Sequence, residues 1–124
     1  MSELDRPRVD ISVVIPVFNA APYLFCTASS VLAQPEVAEL VLVEDGSTDD
    51  SRAVCEQLRD TYKRVRLVQH PGGMNRGAGL SRDLGVATAR HDYVAFLDAD
   101  DVYLSGRFDV SASMLAADPA VDGV

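Results

Sequence analysis

The stretch L-V-L-V-E-D-G-S-T-D-D, Leu40 to Asp50, decides the fold. Its first four positions are apolar without a break, the pattern of a strand covered on both faces. Two acids and a glycine follow. Then come Ser47 and Thr48, either of which can cap a helix whose first turn carries Asp49 and Asp50. A buried strand that turns directly into a capped helix is the repeating unit of an α/β domain.

Outward from that stretch the same alternation recurs. Upstream, Ile11-Ser12-Val13-Val14-Ile15 is β-branched and nearly continuous. A helix over about 22–33 follows it, with Leu24, Ala28, Val31 and Leu32 on one side. Downstream, Val54, Leu58 and Tyr62 recur at fourfold spacing, and Val65 to Val68 reads as a third strand. A loop with Pro71-Gly72-Gly73 leads to a helix over about 78–89, where Leu80, Leu84 and Ala87 face inward. Gly85 weakens that helix but permits close packing on a sheet. Tyr93 to Leu97 is the fourth strand, and a last helix is expected over about 106–117. The expectation is one domain over 1–124, α/β, with a mostly parallel sheet and helices on both faces.

Composition bounds what such a domain can meet. The 124 residues are 48% hydrophobic and 24% charged, enough to bury a core. Eleven basic against nineteen acidic side chains leave a formal charge of -8, which repels nucleic acid and anionic membrane surfaces. An anionic small molecule can still bind if a cation accompanies it. Cys26 and Cys55 lack metal-type spacing and read as small buried groups in a reducing compartment. The start Met1-Ser2-Glu3-Leu4-Asp5 is polar, and no apolar run approaches ~18 residues. A cytoplasmic protein is expected.

In parallel sheets, ligands collect beyond the C-terminal strand ends, where strand order reverses. Three ends carry unusual chemistry: Pro16-Val17-Phe18-Asn19, Glu44-Asp45-Gly46, and Asp98-Ala99-Asp100-Asp101. If the fourth strand lies beside the first, opposite the second, all three converge on one crevice. That is the order 3-2-1-4.

Crowded carboxylates repel one another, so the cluster at Asp98 and Asp100 asks for a positive charge. Carboxylate oxygens suit Mg²⁺ or Mn²⁺, which takes one or two of them and completes its shell with phosphates and water. The competing reading is an acidic turn capping the next helix. Asp45 could accept an N–H from a nucleobase such as uracil or guanine, and Phe18 either joins the core or offers the base a flat face. Asn19 is either a helix cap or a ligand contact. Arg82, one turn into its helix, reaches the base or the diphosphate, or else pairs with Asp83 or Asp92. Neither His70 nor His91 is assigned a role.

Taken in order, Ile15-Pro16-Val17-Phe18-Asn19, Val43-Glu44-Asp45-Gly46-Ser47-Thr48-Asp49, Asn75-Arg76-Gly77 with Ser81-Arg82, and Phe96-Leu97-Asp98-Ala99-Asp100-Asp101 resemble the N-terminal half of the GT-A glycosyltransferases of family 2. The resemblance covers about residues 9 to 118 of a mostly inverting family. It implies a Rossmann-like half-domain that binds a nucleoside diphosphate sugar, a UDP-sugar here, with Mn²⁺ or Mg²⁺. By similarity Pro16, Val17 and Phe18 line the base and ribose pocket, with Glu44 and Asp45 at its side and Asp45 on the base. Arg82 binds the nucleotide, Asp98 with Ala99 contacts the ribose or sugar, and Asp100 with Asp98 holds the metal. Two departures stand out: Phe18 where tyrosine is frequent, and Glu44 where the first Asp of a D-D-G-S run is usual.

The resemblance also implies a second half that holds a hydroxyl acceptor (saccharide, lipid or protein) and a carboxylate base. No residue of this chain is assigned as that base. The expectation is therefore the donor half of a longer enzyme, cytoplasmic or at the cytoplasmic membrane face. Its open sheet edge is one a second copy could cover as a homodimer. Two rivals remain. A non-catalytic nucleotide-sugar-binding module would need no base. A receiver-type phosphoacceptor domain would want its acidic pair after the first strand and a lysine late in the chain, but the only lysine is Lys63.

Overall fold

A computed structural model describes residues 9–108. In chain order these form β1 (Ile11–Val17), α1 (Ala21–Leu32), β2 (Val37–Glu44), α2 (Ser51–Thr61), β3 (Val65–Gln69), α3 (Ala78–Thr88) and β4 (Tyr93–Phe96). A short 3-10 turn, Pro71–Gly73, lies between β3 and α3. The expected last helix falls mostly outside the described residues. Its first positions, Gly106 to Phe108, form a turn instead, closed by the Arg107 N–H on the Leu104 carbonyl at 3.2 Å.

The sheet is parallel throughout, with the order β3-β2-β1-β4. β1 and β2, the two mainly apolar runs, are central and buried, and their few polar side chains, Ser12, Glu39 and Glu44, are hydrogen-bonded inside the fold. β4 lies beside β1, so the chain runs outward from β1 to β3 and then crosses back to the other side of β1, which puts the switch in strand order between β1 and β4. That order differs from the 2-1-3-4-5 order of flavodoxin-like folds and removes the receiver-type reading.

Alternation along the strands feeds two cores. Ile11, Val13, Ile15, Val17, Leu40 and Leu42 face α1 and α2, which contribute Leu24, Ala28, Val31, Cys55 and Leu58. Val14, Val41 and Val43 face α3 and meet Leu84. On this second side the helix differs from the expected pattern: Leu80 and Ala87 are exposed, and the inward positions are Ser81 and Gly85. The reason is distance. A Cβ at Gly85 would stand 2.2 Å from Val14 Cγ1, so small residues let α3 sit almost on the β1 backbone.

Two smaller expectations are corrected. Ser47 and Thr48 do not cap α2, which begins at Ser51. The Asp49 carboxylate takes the Ser51 N–H at 2.8 Å and the Ala21 N–H at 3.2 Å. Those bonds and the Ser51 hydroxyl hold its carboxyl below the usual range. Cys26 is exposed, whereas Cys55 is buried, and burial pushes its thiol up to about 12. Among the described residues no helix is long and apolar enough to cross a membrane.

A polar network crosses the sheet on the α3 side. Glu39 on β2 accepts the Ser12 hydroxyl at 2.7 Å and the Arg90 N–H at 2.6 Å, with Arg66 of β3 at 3.7 Å. Burial acts to raise its carboxyl, but the Arg90 N–H, the Ser12 hydroxyl and the Arg66 charge outweigh it and leave the carboxyl below its ordinary value. A lowered carboxyl contributes stability above its unfolded pKa and loses it as pH falls through the folded one. We expect Glu39→Gln to cost about 1–3 kcal/mol at neutral pH, because Gln sets an amide donor among donors. In urea denaturation the gap from the parent should close below about pH 4.

Candidate functional site

The strand C-termini open into a crevice of about 480 Å³, within the range of small-ligand sites. Its lining comes from Pro16, Val17 and Phe18 at the end of β1, Asp45 at the end of β2, Asp98, Ala99 and Asp100 after β4, and Arg82 on α3. The three strand ends do converge.

The middle of the crevice begins where β1 stops. Asn19 takes a left-handed φ of 51°, which a short amide side chain tolerates. Its N–H donates to Ser47 Oγ at 3.0 Å, and its Oδ1 accepts the Thr48 N–H at 2.8 Å and the Asp49 N–H at 3.3 Å. So Asn19 stitches the β1–α1 turn to the β2–α2 turn rather than capping its own helix. The turn leaves Phe18 49% exposed, on the crevice and out of the core.

Glu44 and Asp45 behave differently from one another. Glu44 is buried and does not line the crevice. Its carboxylate accepts the Gly46 N–H at 2.9 Å and the Ser47 N–H at 2.7 Å, closing its own turn. The longer arm of Glu is what lets it fold back. Asp45 does line the crevice, but its oxygens are engaged by the loop before α3. They take the Arg76 N–H at 2.7 Å, the Gly77 N–H at 3.0 Å and the Asn75 amide at 3.3 Å, with His70 Nε2 at 3.6 Å. Gly46 permits this clasp: its φ is +72°, and a Cβ there would stand 2.6 Å from the Asn75 nitrogen.

On the β4 side, Arg82 pairs with Asp98 rather than with Asp83 or Asp92, Nη2 to Oδ1 at 3.6 Å. Both side chains are about half exposed, so the pair is weak in water and open to exchange. The Asp98, Asp100 and Asp101 carboxylates are exposed, with ligand-capable oxygens all within 4.8 Å of one another. Hard oxygen donors at that spacing fit a Mg²⁺ or Mn²⁺ ion that completes its shell with phosphate and water.

Two lining residues were given no individual role by sequence reasoning. Tyr23, 54% exposed on the first turn of α1, and Asn75, whose amide reaches Asp45, both border the crevice. An exposed aromatic beside a strand end was the available clue for Tyr23. His70 lies buried behind the clasp, its Nε2 3.0 Å from Ser81 Oγ.

Comparisons with known proteins agree with this geometry. Residues 12–123 match the family model described as Glycosyl transferase family 2. The succinoglycan biosynthesis protein ExoU of Rhizobium meliloti (strain 1021) is 37% identical over 98 residues, which are 79% of this chain and 28% of that protein. S. aureus TarS 1-349, solved in complex with UDP-GlcNAc, has a TM-score of 0.74 at 26% identity, over 86% of this chain and 31% of the other. The mannosyltransferase PcManGT from Pyrobaculum calidifontis, in complex with GDP-Man and Mn²⁺, shares the fold with a TM-score of 0.76 at 23% identity, over 93% of this chain and 34% of the other. The chain thus spans less than a third of the length of the ExoU relative.

Proposed function

The chain belongs to glycosyl transferase family 2, and on that premise we propose that its crevice binds a UDP-sugar with Mn²⁺ or Mg²⁺. In this reading it is the donor half of an enzyme that passes the sugar to an acceptor hydroxyl with inversion. The observation that carries the reading is the meeting of Phe18, Arg82, Asp98 and Asp100 around one crevice at the sheet's C-terminal edge.

Each side chain then has a task. Phe18 stacks on the base, with Pro16 and Val17 shaping the pocket around base and ribose. Asp45 holds the 75–77 loop against the base, and a base N–H reaches its carboxylate by replacing the Asn75 amide, the longest of its three hydrogen bonds. Asp98 and Ala99 contact ribose or sugar, and Asp98 and Asp100 hold the ion. Arg82 leaves Asp98 for a phosphate oxygen, a better-matched partner for a guanidinium. When bound, the divalent ion supplies charge neutralisation on the departing diphosphate.

The reaction is a single displacement. The acceptor oxygen forms a bond to the anomeric carbon on the face opposite the diphosphate, whose own bond to that carbon breaks with its electron pair. The acceptor's proton goes to a carboxylate base that we assign to no residue of this chain.

Calorimetry with UDP and Mn²⁺ tests the reading. Binding should be measurable and should fall steeply in EDTA, to a weak metal-free remainder; equal affinity in both conditions would remove the metal's role. Phe18→Ala should weaken UDP by about tenfold through lost stacking, whereas Phe18→Tyr should hold it. For the whole enzyme, an NMR assignment of the product's anomeric configuration decides between inversion and retention.

A further inference from the structure

Helix α1 and the turn after it carry a second buried stripe beside the apolar face, with Thr27 and Ser30 on the helix and Gln34 just past its end. Thr27 and Gln34 are polar yet only 1% and 2% exposed, and Ser30 lies between them. Polar groups so deeply placed need partners, and all three find them in one segment about 70 residues away. Thr27 Oγ1 donates to the Ala99 carbonyl at 2.8 Å. Ser30 Oγ accepts the Tyr103 N–H at 2.9 Å. Gln34 accepts the Arg107 N–H at 3.1 Å and donates to the Leu104 carbonyl at 3.0 Å.

That segment, from Leu97 to Phe108, contains neither helix nor strand. Its first part carries the exposed acids, which repel one another and cannot fix their own arrangement. The Asp101 N–H on the Asp98 carbonyl at 3.0 Å closes a tight turn, and Ala99 sits in its middle. Ala99 is buried against the α1-side core, so the bond from Thr27 sets where the flanking carboxylates stand.

We propose that Thr27 is a positioning residue for the metal-binding pair, with Ser30 and Gln34 holding the rest of the segment in register. Thr27 acts through the Ala99 carbonyl and touches neither ion nor sugar. The proposal rests on the functional reading above. Its physical content is preorganisation: with the main chain already fixed, closing two like charges around a cation needs less ordering at the moment of binding.

The test compares UDP affinity of the full chain with Mn²⁺ and in EDTA, for the parent, Thr27→Val and Thr27→Ser. Valine keeps the shape and removes the donor. It should weaken Mn²⁺-dependent UDP binding about five- to tenfold, the equivalent of one buried hydrogen bond, and leave weak metal-free binding unchanged. Serine should restore the parent value. Ser30→Ala, at a half-buried position, should show the same signature at about threefold and serves if the valine variant does not fold.

Equal parent and Thr27→Val affinities would overturn the proposal. So would an equal loss with and without Mn²⁺, which would mark a general loosening of the crevice, or a failure of serine to rescue. A parent chain that binds UDP equally with and without Mn²⁺ would instead remove the functional reading, and this proposal with it.

Discussion

In Mn²⁺, Asp100→Asn is expected to bind UDP at least about a hundredfold more weakly than the parent, since losing even a group behind a metal ligand costs about 10–100-fold. The amide keeps the size of the carboxylate and removes its charge. Arg82 pairs with Asp98 and not with Asp100, so the crevice keeps that ion pair in the variant. Asp100 is exposed and makes no side-chain hydrogen bond among the described residues, so its replacement should leave stability within about 0.5 kcal/mol. Easing repulsion in the cluster works in the same direction. The variant should therefore unfold at the parent's denaturant midpoint while losing the gain that Mn²⁺ gives to UDP binding. An affinity in Mn²⁺ matching the parent's would take Asp100 out of the metal site.

Gly85→Val is expected to be the most damaging single change to the fold. The new Cβ alone falls 2.2 Å from Val14 Cγ1 and 3.0 Å from Cγ2, and Val14 is fully buried between β2 and β4. Nothing in that seam can give way without lifting α3 off the sheet. Overpacking of this kind costs typically 1–3 kcal/mol and sometimes more. We expect at least about 3 kcal/mol, a large share of the ~5–15 kcal/mol that holds a domain together. Gly85→Ala should also destabilise, though better helix propensity returns about 1 kcal/mol. Val14→Ala combined with Gly85→Ala should destabilise less than the two single effects added, because removing the Val14 methyls removes the closest contacts. Additivity of the two in urea denaturation would show that α3 does not rest on Val14.

The strands were legible because burial on both faces leaves an uninterrupted apolar run, as in Leu40 to Val43. Their order was legible through chemistry rather than pattern, from the placing of polar groups at the ends of β1, β2 and β4. What stayed hidden has a common physical character. The inward face of α3 is set by a close approach, so it is marked by Gly85 and Ser81 and not by Leu80, the larger apolar group. Glu44 reads as a site residue from its neighbours, yet its carboxylate closes its own turn. Thr27 looks like an ordinary helix residue and Gln34 like an ordinary turn residue until their partners appear more than 70 positions away. No local window contains those bonds.

The reciprocal bonds between Asn19 and the 47–49 turn reach beyond this one molecule. Neither position can drift alone: losing the amide at 19 hands two main-chain donors to water, and losing the hydroxyl at 47 strands the one that faces it. Descendants of this sequence should inherit the two corners as a block and co-vary there. Phe18 and Tyr23, whose side chains carry no such obligation, are where a lineage can adjust which donor it accepts.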